Sequence, residues 1–503
     1  MNEQNSSSNY NKNNENNEKI INNNNFSNEK LHNNAKNFQE DANSEEQHNE
    51  NINQETHKRN YNVRFAAVKI LNRYDRSDSY IDKLLNAEYQ KEDFNKFDKA
   101  LLTEIVNGVI RWRGKLDWIL TGFYHGDFQK NLNWVKNAMR VGLYQLMFLT
   151  KIPPPIAIYE TVEITKNIQG EKTAGIVNGV LRNILRNMEN VRYPEKDEDP
   201  NYYLAVLYSF PKWLVKRWIE QFGYEETEKL LIAMNKRPYI PARINQLKNQ
   251  KEAFRKFLDE NEVIYKNYSY HDDTFMIFNP RINVFETTFF KNGEIAIQDP
   301  SASLVIQLAN PQMNWRVLDL CAAPGGKTFY LAELMNNTGE IVAIDKYESK
   351  LRFISEGAKR LGITNMTVMN GDATDIDFDE PFDLVLADVP CTGLGTISKK
   401  PDIKWKREME DIIKLNKIQD NILENAAEQV KPGGVIVYST CTIEPSENFI
   451  IIETFLQKHP EFQLDPAEKY LPEKVCSKGM MQTFPHRHSC DGAFAARLIK
   501  RSV

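Results

Sequence analysis

The sequence predicts three folded parts in a row: an all-α bundle, a small α+β unit, and an α/β domain with a doubly wound, mostly parallel sheet. Between residues 61 and 190 apolar side chains recur at helical spacing and strand signals are weak. From about 296 short apolar runs alternate with helical stretches, the pattern of parallel strands joined by crossover helices. The length of 503 residues agrees, since at ~100–200 residues per domain about three domains are expected.

Residues 1–58 are rich in Asn, with Glu, Gln, Ser and Lys, and hold only scattered apolar residues such as Ile20, Ile21 and Phe26. Such a segment buries too little surface to offset its ordering entropy, so a disordered tail is expected. The net charge is −5, and residues 1–60 hold ten acids against six Lys and Arg. The remainder is close to neutral, which excludes a global polycation and confines any nucleic-acid surface to a local patch. The five cysteines are odd in number and irregularly spaced, so no disulfide framework is expected. No apolar run approaches the ~20 residues of a membrane span. The N-terminus lacks an apolar signal core. These features predict a cytoplasmic protein in a reducing compartment.

The bundle at 61–190 should hold six or seven helices. Leu101, Ile105, Val109 and Trp112 form one apolar stripe; Val177, Val180, Leu181, Ile184, Leu185 and Met188 form another. Ile152-Pro153-Pro154-Pro155 separates two helices. Arg111, Arg113, Lys115, Lys136, Arg140, Arg182 and Arg186 interleave with the stripes, as a solvated face or as one that meets RNA. Residues 194–200 read as a linker.

The region 201–295 opens with two helices, PKWLVKRWIEQFG and EETEKLLIAMN. Pro211 suits a first turn and Gly223 a C-terminal cap. Strand-like runs around a helix at 251–260 then make the α+β unit. In 296–503 strands are expected at 317–320, 341–344, 366–369, 384–387 and 435–438, with a further one in FAARLIK at 494–500.

The first of these strands runs into DLCAAPGGKT, 319–328. Gly325 and Gly326 let the backbone turn tightly beside a ligand, Pro324 stiffens the turn, and the next helix offers its N-terminus. The spacing is neither GxGxxG nor a P-loop; Cys321 stands where a P-loop needs glycine. The backbone of Cys321, Ala322, Ala323, Pro324, Gly325, Gly326 and Lys327 is therefore the expected cofactor turn, with the Cys321 side chain structural. Asp345 ends the second strand, placed to accept from ribose hydroxyls. Asp372 follows the third, placed to accept an adenine amine. Together these describe a nucleoside pocket without a pyrophosphate cradle, which S-adenosylmethionine fits best.

Two dipeptides carry the chemistry. Pro390-Cys391 follows FDLVLADV, and Thr440-Cys441 follows GGVIVYS. Each cysteine should stand where a strand ends, at the edge where ligands bind in open α/β sheets. Two thiols there without CxxC spacing point to covalent chemistry rather than to zinc or dithiol exchange. Cys476 and Cys490, near His486 and His488, match no zinc-ligand spacing, and no metal is expected.

DLCAAPGGKT, DVPCTGLGT (388–396), KPDIKW (400–405) and STCTIEPSEN (439–448) resemble the RNA cytosine-5 methyltransferases, as do QDPSAS (298–303) and DGAFAARL (491–498). VNGVIR, AIYETVEI and GIVNGVLRNILR, in that order, resemble a domain related to the antitermination factor NusB. The fusion is similar to the Sun/Fmu type of bacterial 16S ribosomal RNA methyltransferase, over residues 61–503. The resemblance, which leaves out the expected disordered tail (1–58), implies a NusB-like RNA-binding bundle (61–190), an RNA-positioning region (201–295), and a Rossmann-like S-adenosylmethionine-dependent methyltransferase domain (296–503).

It further implies methylation at C5 of one cytosine, position 967 in standard 16S numbering, in naked RNA or an early assembly particle; a monomer is expected, since a bundle appended to a catalytic domain needs no symmetric partner. Cys441 would be the nucleophile that adds to C6. Cys391 would assist product release, as or through a general base. Asp388 would meet the cytosine N3/N4 edge and also line the cofactor site, and Lys327 would reach the same pocket. DNA cytosine-5 methyltransferases attack instead from a Pro-Cys motif and carry a Glu elsewhere, so the paired dipeptides favour RNA. A transfer RNA or 23S target, a DNA target, and a non-catalytic assembly factor remain the alternatives. Lys399, Lys400, Lys404, Lys406 and Arg407 are placed to track an RNA backbone, with Trp405 stacking on a base or packing inside. Lys400 stands where related proteins often carry His.

Overall fold

The computed structural model describes residues 62–278 and 282–502. The tail expected to be disordered lies outside the described residues. The chain divides into an N-terminal unit ending at Phe65 and a compact unit from Ala66 to Val503. Helix α1 (Val63–Tyr74) begins in the first, where the Asn62 side chain accepts from the Arg64 and Phe65 amides.

The bundle continues with α2 (Ile81–Lys91), α3 (Lys96–Phe123), α4 (Asn133–Phe148) and α5 (Pro154–Arg186). Gly170 (φ 80°) breaks α5, so the bundle has six α-helical segments among the described residues. Pro154 opens α5 as its first helical residue, where its missing amide costs nothing. The buried stripe of α3 runs through Leu102, Ile105, Val106, Val109 and Ile110; Leu101 and Trp112, expected in it, are half-buried. Gly108 is required by close packing, because a Cβ there would meet the Tyr144 ring of α4 at 2.0 Å.

The basic residues of the bundle do not form one face. Arg140 is buried and forks onto Asp117, with Nε–Oδ1 at 2.6 Å and Nη2–Oδ2 at 2.8 Å, while Asp75 holds Arg113 at 3.0 Å. Arg111 is buried and donates to the Ser398 carbonyl. A buried guanidinium needs partners, and these have found theirs inside. Arg182 and Arg186 remain exposed.

Three helices follow: α6 (Pro200–Tyr208), α7 (Lys212–Phe222) and α8 (Tyr224–Met234). The sequence predicts only the last two. Helix α6 starts on an Asp-Pro pair, with Asp199 accepting from the Tyr202 amide, but its nine residues are too few to show a period. Leu204, Leu214, Trp218, Leu230 and Leu231 from these helices share a core with Leu394, Ile397, Ile403 and Ile443 of the C-terminal domain.

The α+β unit is a four-stranded antiparallel sheet ordered β2-β3-β1-β4, from β1 (Ile240–Ile244), β2 (Ile264–Tyr268), β3 (His271–Phe278) and β4 (Ile295–Ile297). Helix α9 (Lys251–Glu260) lays Phe254 and Leu258 on Phe275 and Ile277.

Helix α10 (Pro300–Ala309) leads into the large sheet. Its parallel part comprises β5 (Arg316–Asp319), β6 (Glu340–Asp345), β7 (Met366–Asn370), β8 (Phe382–Asp388) and β9 (Val430–Thr440), ordered 7-6-5-8-9. Every parallel strand expected from sequence is present within a few residues. Beyond β9 the sheet is antiparallel: β13 (Phe494–Lys500) pairs with β9, and β10 (Phe462–Leu464), β11 (Cys476–Ser477) and β12 (Met480–Gln482) complete it. These three short strands gave no sequence signal, and the sheet is mixed. Helices α11 (Gly326–Leu334), α12 (Glu348–Leu361), α13 (Met409–Gln429) and α14 (Phe449–Lys458) connect the strands. Two apolar cores lie against the sheet, one holding Leu384, Leu386 and Val437, the other their neighbours Val385, Ala387 and Ile436. Alternate residues of each strand thus face opposite layers.

Candidate active site

The strand order reverses between β5 and β8, so a crevice opens at their carboxyl ends. On one side lies the 319–328 turn. Gly325 has φ 109°, and a Cβ there would stand 2.2 Å from the Phe329 ring, so no side chain fits. Gly326 begins α11, whose first turn has no side-chain cap.

Asp345 ends β6 and is buried. Its Oδ2 accepts from the Ala323 amide (3.2 Å) and its Oδ1 from the Tyr347 amide (2.9 Å), which ties the second strand end to the glycine turn. Asp372 follows β7. A hydrogen bond from Lys346 at 2.6 Å holds its carboxyl below the ordinary range despite partial burial. Both acids are therefore anchored acceptors at successive strand ends. Gln298 is orientated by Arg243, whose Nε donates to its Oε1 (2.7 Å), and this leaves its buried Nε2 without a partner, 3.6 Å from where a Gly326 Cβ would stand. An unspent donor beside an open glycine turn suits an anionic group. These residues fit S-adenosylmethionine: acceptors for ribose and adenine, a bare turn, and a donor for the amino-acid end.

On the other side stand the cysteines. Cys391 follows β8 and Cys441 follows β9, neighbouring parallel strands, so their loops emerge together. Their sulfurs lie 3.3 Å apart. The Cys391 thiol lowers the Cys441 pKa by hydrogen bonding to its sulfur; Lys327 and Lys400 act the same way, against burial and the Asp388 charge. The same hydrogen bond, with burial, pushes Cys391 well up. Cys441 is the exposed member of the pair.

Asp388 ends β8. Its Oδ1 accepts from Ser439 Oγ and its Oδ2 from Lys327 Nζ, each at 2.7 Å. Burial works against the Lys327 ammonium, yet Asp388 keeps its pKa above the usual value. Lys327 thus bridges the cofactor turn and the cysteines. The structure brings Lys327, Asp388, Cys391 and Cys441 into one cluster, with Asp345, Asp372 and the glycine turn beside it.

Several residues in the site were not singled out from sequence. Glu447 is buried and accepts from the Thr392 amide and from Gln419 Nε2, so it pins the loop after Cys391. Arg217 of α7 forks onto the buried Glu444, with Nε–Oε2 at 2.7 Å, and ties α7 to the loop after Cys441. Asp319 is buried at the end of β5; burial drives its carboxyl up to about 7, although Thr328 donates to it. The Glu and Asp positions lie inside the quoted motifs, and only their burial marks them.

The basic run after Cys391 is not an RNA track. Lys404 is fully buried, with its Nζ donating to the Arg111 carbonyl (2.8 Å) over the Phe210 ring. Trp405 Nε1 donates to the Ile110 carbonyl, and Lys406 to that of Ser77. Lys399 pairs with Asp299 and Asp491. Arg407 Nε donates to the Thr392 carbonyl (3.0 Å) and Nη2 to that of Cys391 (3.4 Å). This segment clamps the loop after Cys391 to the bundle, and Lys400 alone of the five is exposed. The thiols of Cys321 and Cys490 are pushed up by burial, and His488 bonds to backbone on both ring nitrogens. Among the described residues no cluster of three or more His, Cys, Asp or Glu could hold a metal, and no helix is long and apolar enough to cross a membrane.

Residues 306–499 match the family model of the 16S rRNA methyltransferases RsmB/F, residues 61–186 that of the NusB family, and residues 210–284 that of the ferredoxin-like domain of RsmF/B-like methyltransferases. The chain is 38% identical to the probable ribosomal RNA small subunit methyltransferase B of Bacillus subtilis, over 87% of this chain and 99% of that one. It is 34% identical to the corresponding Synechocystis protein, again over 87% and 99%. The solved structure of PH0851 superposes with a TM-score of 0.73 at 28% identity, covering 87% of this chain and 98% of that one. The chain therefore belongs to the RsmB/F family of S-adenosylmethionine-dependent ribosomal RNA methyltransferases.

Proposed function

We propose that this protein methylates C5 of a single cytosine in 16S ribosomal RNA through a covalent bond between Cys441 and C6. The observation that carries this is the 3.3 Å pair of unequal thiols beside Asp388. C5 of cytosine is a poor nucleophile. Cys441, the more acidic thiol, adds to C6 and turns the ring into an enamine, which makes C5 nucleophilic. Asp388 accepts from the N3/N4 edge through the lone pairs that Lys327 and Ser439 leave free, and so stabilises the protonated ring. S-adenosylmethionine, held by the glycine turn, Asp345 and Asp372, supplies the electrophilic methyl group.

Cys391 acts last. Its pKa is held up by the hydrogen bond and charge of Cys441 together with burial. Once Cys441 is bonded to carbon, two of those causes vanish and Cys391 becomes more acidic. It loses its own proton to solvent, and the resulting thiolate takes the C5 proton, directly or through water, as elimination expels Cys441. The target base must leave its stack to be sandwiched in this way. The bundle and the ferredoxin-like unit position the RNA, and the protein works in the cytoplasm as a monomer.

The test is methyl transfer from labelled S-adenosylmethionine to protein-free 16S RNA and to small-subunit particles, followed by nucleoside mass analysis. Labelled 5-methylcytidine at one position of 16S RNA is expected. Label in transfer RNA, 23S RNA or duplex DNA instead, or none in any nucleic acid, overturns it.

A further inference from the structure

A cleft of about 770 Å³ lies outside the cysteine and cofactor site. One wall is the end of α8 and the segment after it, with Lys236, Arg237 and Tyr239. Another is β2 and β3, with Lys266, Tyr270 and Phe278. The third is the C-terminal segment at 485–491.

Two features of this cleft point to one ligand. Its floor is aromatic: the half-buried Tyr239 and Phe278 rings stand 5.8 Å apart, and Tyr270 meets Tyr268 and His488 edge-on at 5.5 and 6.1 Å. Its rim is cationic: Lys236 and Lys266 are exposed and have no ion-pair partner among the described residues, while Asp491, the one lining carboxylate, is bound to Lys399 at 2.9 Å. Aromatic faces between unneutralised cations suit unpaired nucleic acid, whose bases stack and whose phosphates need charge. The position is also telling. Ser398 and Lys399 close one end of the cleft, in the loop after Cys391. Gly492, next to the lining Asp491, donates to the Gly395 carbonyl, and Gly395 donates to that of Cys441. Two backbone hydrogen bonds thus separate the cleft wall from the nucleophile.

We propose that this cleft holds an unpaired RNA strand flanking the target cytosine, with phosphates against Lys236 and Lys266 and bases on Tyr239 and Tyr270. The inference rests on the RNA methyltransferase reading above and names where the substrate strand lies.

The test is binding of a fluorescent single-stranded 16S RNA fragment to the full chain over a salt series, alongside methyl transfer to the same RNA. The variants are Lys236→Glu/Lys266→Glu and Tyr270→Ala. Each single-strand phosphate contact contributes a log–log salt slope of about −0.7, so the double variant should flatten the slope by about 1.4 and weaken binding at least tenfold. Tyr270→Ala should weaken binding about tenfold with the slope unchanged. Cofactor affinity should be unaltered in both, which separates a lost contact from misfolding. Unchanged RNA affinity and slope in both variants overturn the cleft, as does polyglutamate competing as well as RNA. Wild type that methylates while the variants bind normally sinks the cleft and spares the enzyme; wild type that binds through these residues but methylates no RNA does the reverse.

Discussion

The Cys391 sulfur lies 3.3 Å from the Cys441 sulfur and also 3.3 Å from the Cys441 amide nitrogen, whose proton it accepts. Two identical groups are thereby made unequal. Their contact pushes the Cys391 thiol up and the Cys441 thiol down, so Cys441 favours the thiolate. The order of roles proposed above rests on this asymmetry.

The asymmetry has a pH signature. A lowered thiol pKa means that thiolate, and hence alkylation, appears at lower pH than for an ordinary cysteine. Cys391→Ala removes the largest cause of the lowering. The rate of iodoacetamide modification at Cys441, followed by peptide mass mapping, should rise at higher pH in Cys391→Ala than in wild type. Superimposable profiles would mean that Cys391 does not set the acidity of Cys441.

Asp388→Asn should keep the fold and cofactor binding but slow methyl transfer by about 10²–10³, the scale of a positioned acid–base or charge-stabilising group. It leaves the Lys327 ammonium without its counter-charge. Single-turnover rates at saturating RNA check this. A change confined to KM would make Asp388 a binding residue only.

Arg407→Ala should impair the step served by Cys391 more than that served by Cys441. Its guanidinium donates to the carbonyls of Thr392 and Cys391, on the Cys391 side of the pair. A displaced catalytic group costs about 10² in rate. Turnover should fall by that order while a covalent RNA adduct builds up. Arg407→Lys should restore part of it. Loss of turnover with no adduct would assign Arg407 to folding or to addition.

Asp319 links stability to pH. Its carboxyl has a pKa of about 7 in the fold against an ordinary 3.8, because burial disfavours the charge. The folded state thus binds the extra proton between these values. The stability it contributes is full below about pH 4 and declines as pH rises towards 7. Asp319→Asn removes that decline, so its unfolding midpoint relative to wild type should be higher at pH 8 than at pH 5. A difference that stays constant across this range would show that Asp319 is ionised throughout.

The parallel strands, the glycine turn and the two cysteines were legible in the sequence because each depends on local pattern: an apolar run, a Gly-Gly pair, a residue at a strand end. Asp345, Asp372 and Asp388 were legible for the same reason. What the sequence hid is set by tertiary partners. Lys404 and Arg140 look like surface cations, yet one is buried over Phe210 and the other between Asp75 and Asp117. Glu444 and Glu447 look like solvated acids, and their partners Arg217 and Thr392 lie far off in the chain. Strands β11 and β12 span two and three residues, too short for alternation to register.

The most direct test of the two-thiol chemistry is denaturing gel analysis of covalent protein–RNA complexes with S-adenosylmethionine, using wild type, Cys441→Ala and Cys391→Ala. Cys441→Ala should be inactive and form no complex, and Cys391→Ala should be inactive and accumulate one. An active Cys441→Ala, together with an inactive Cys391→Ala that forms no complex, would reverse the two roles and remove the ground for preferring RNA over DNA.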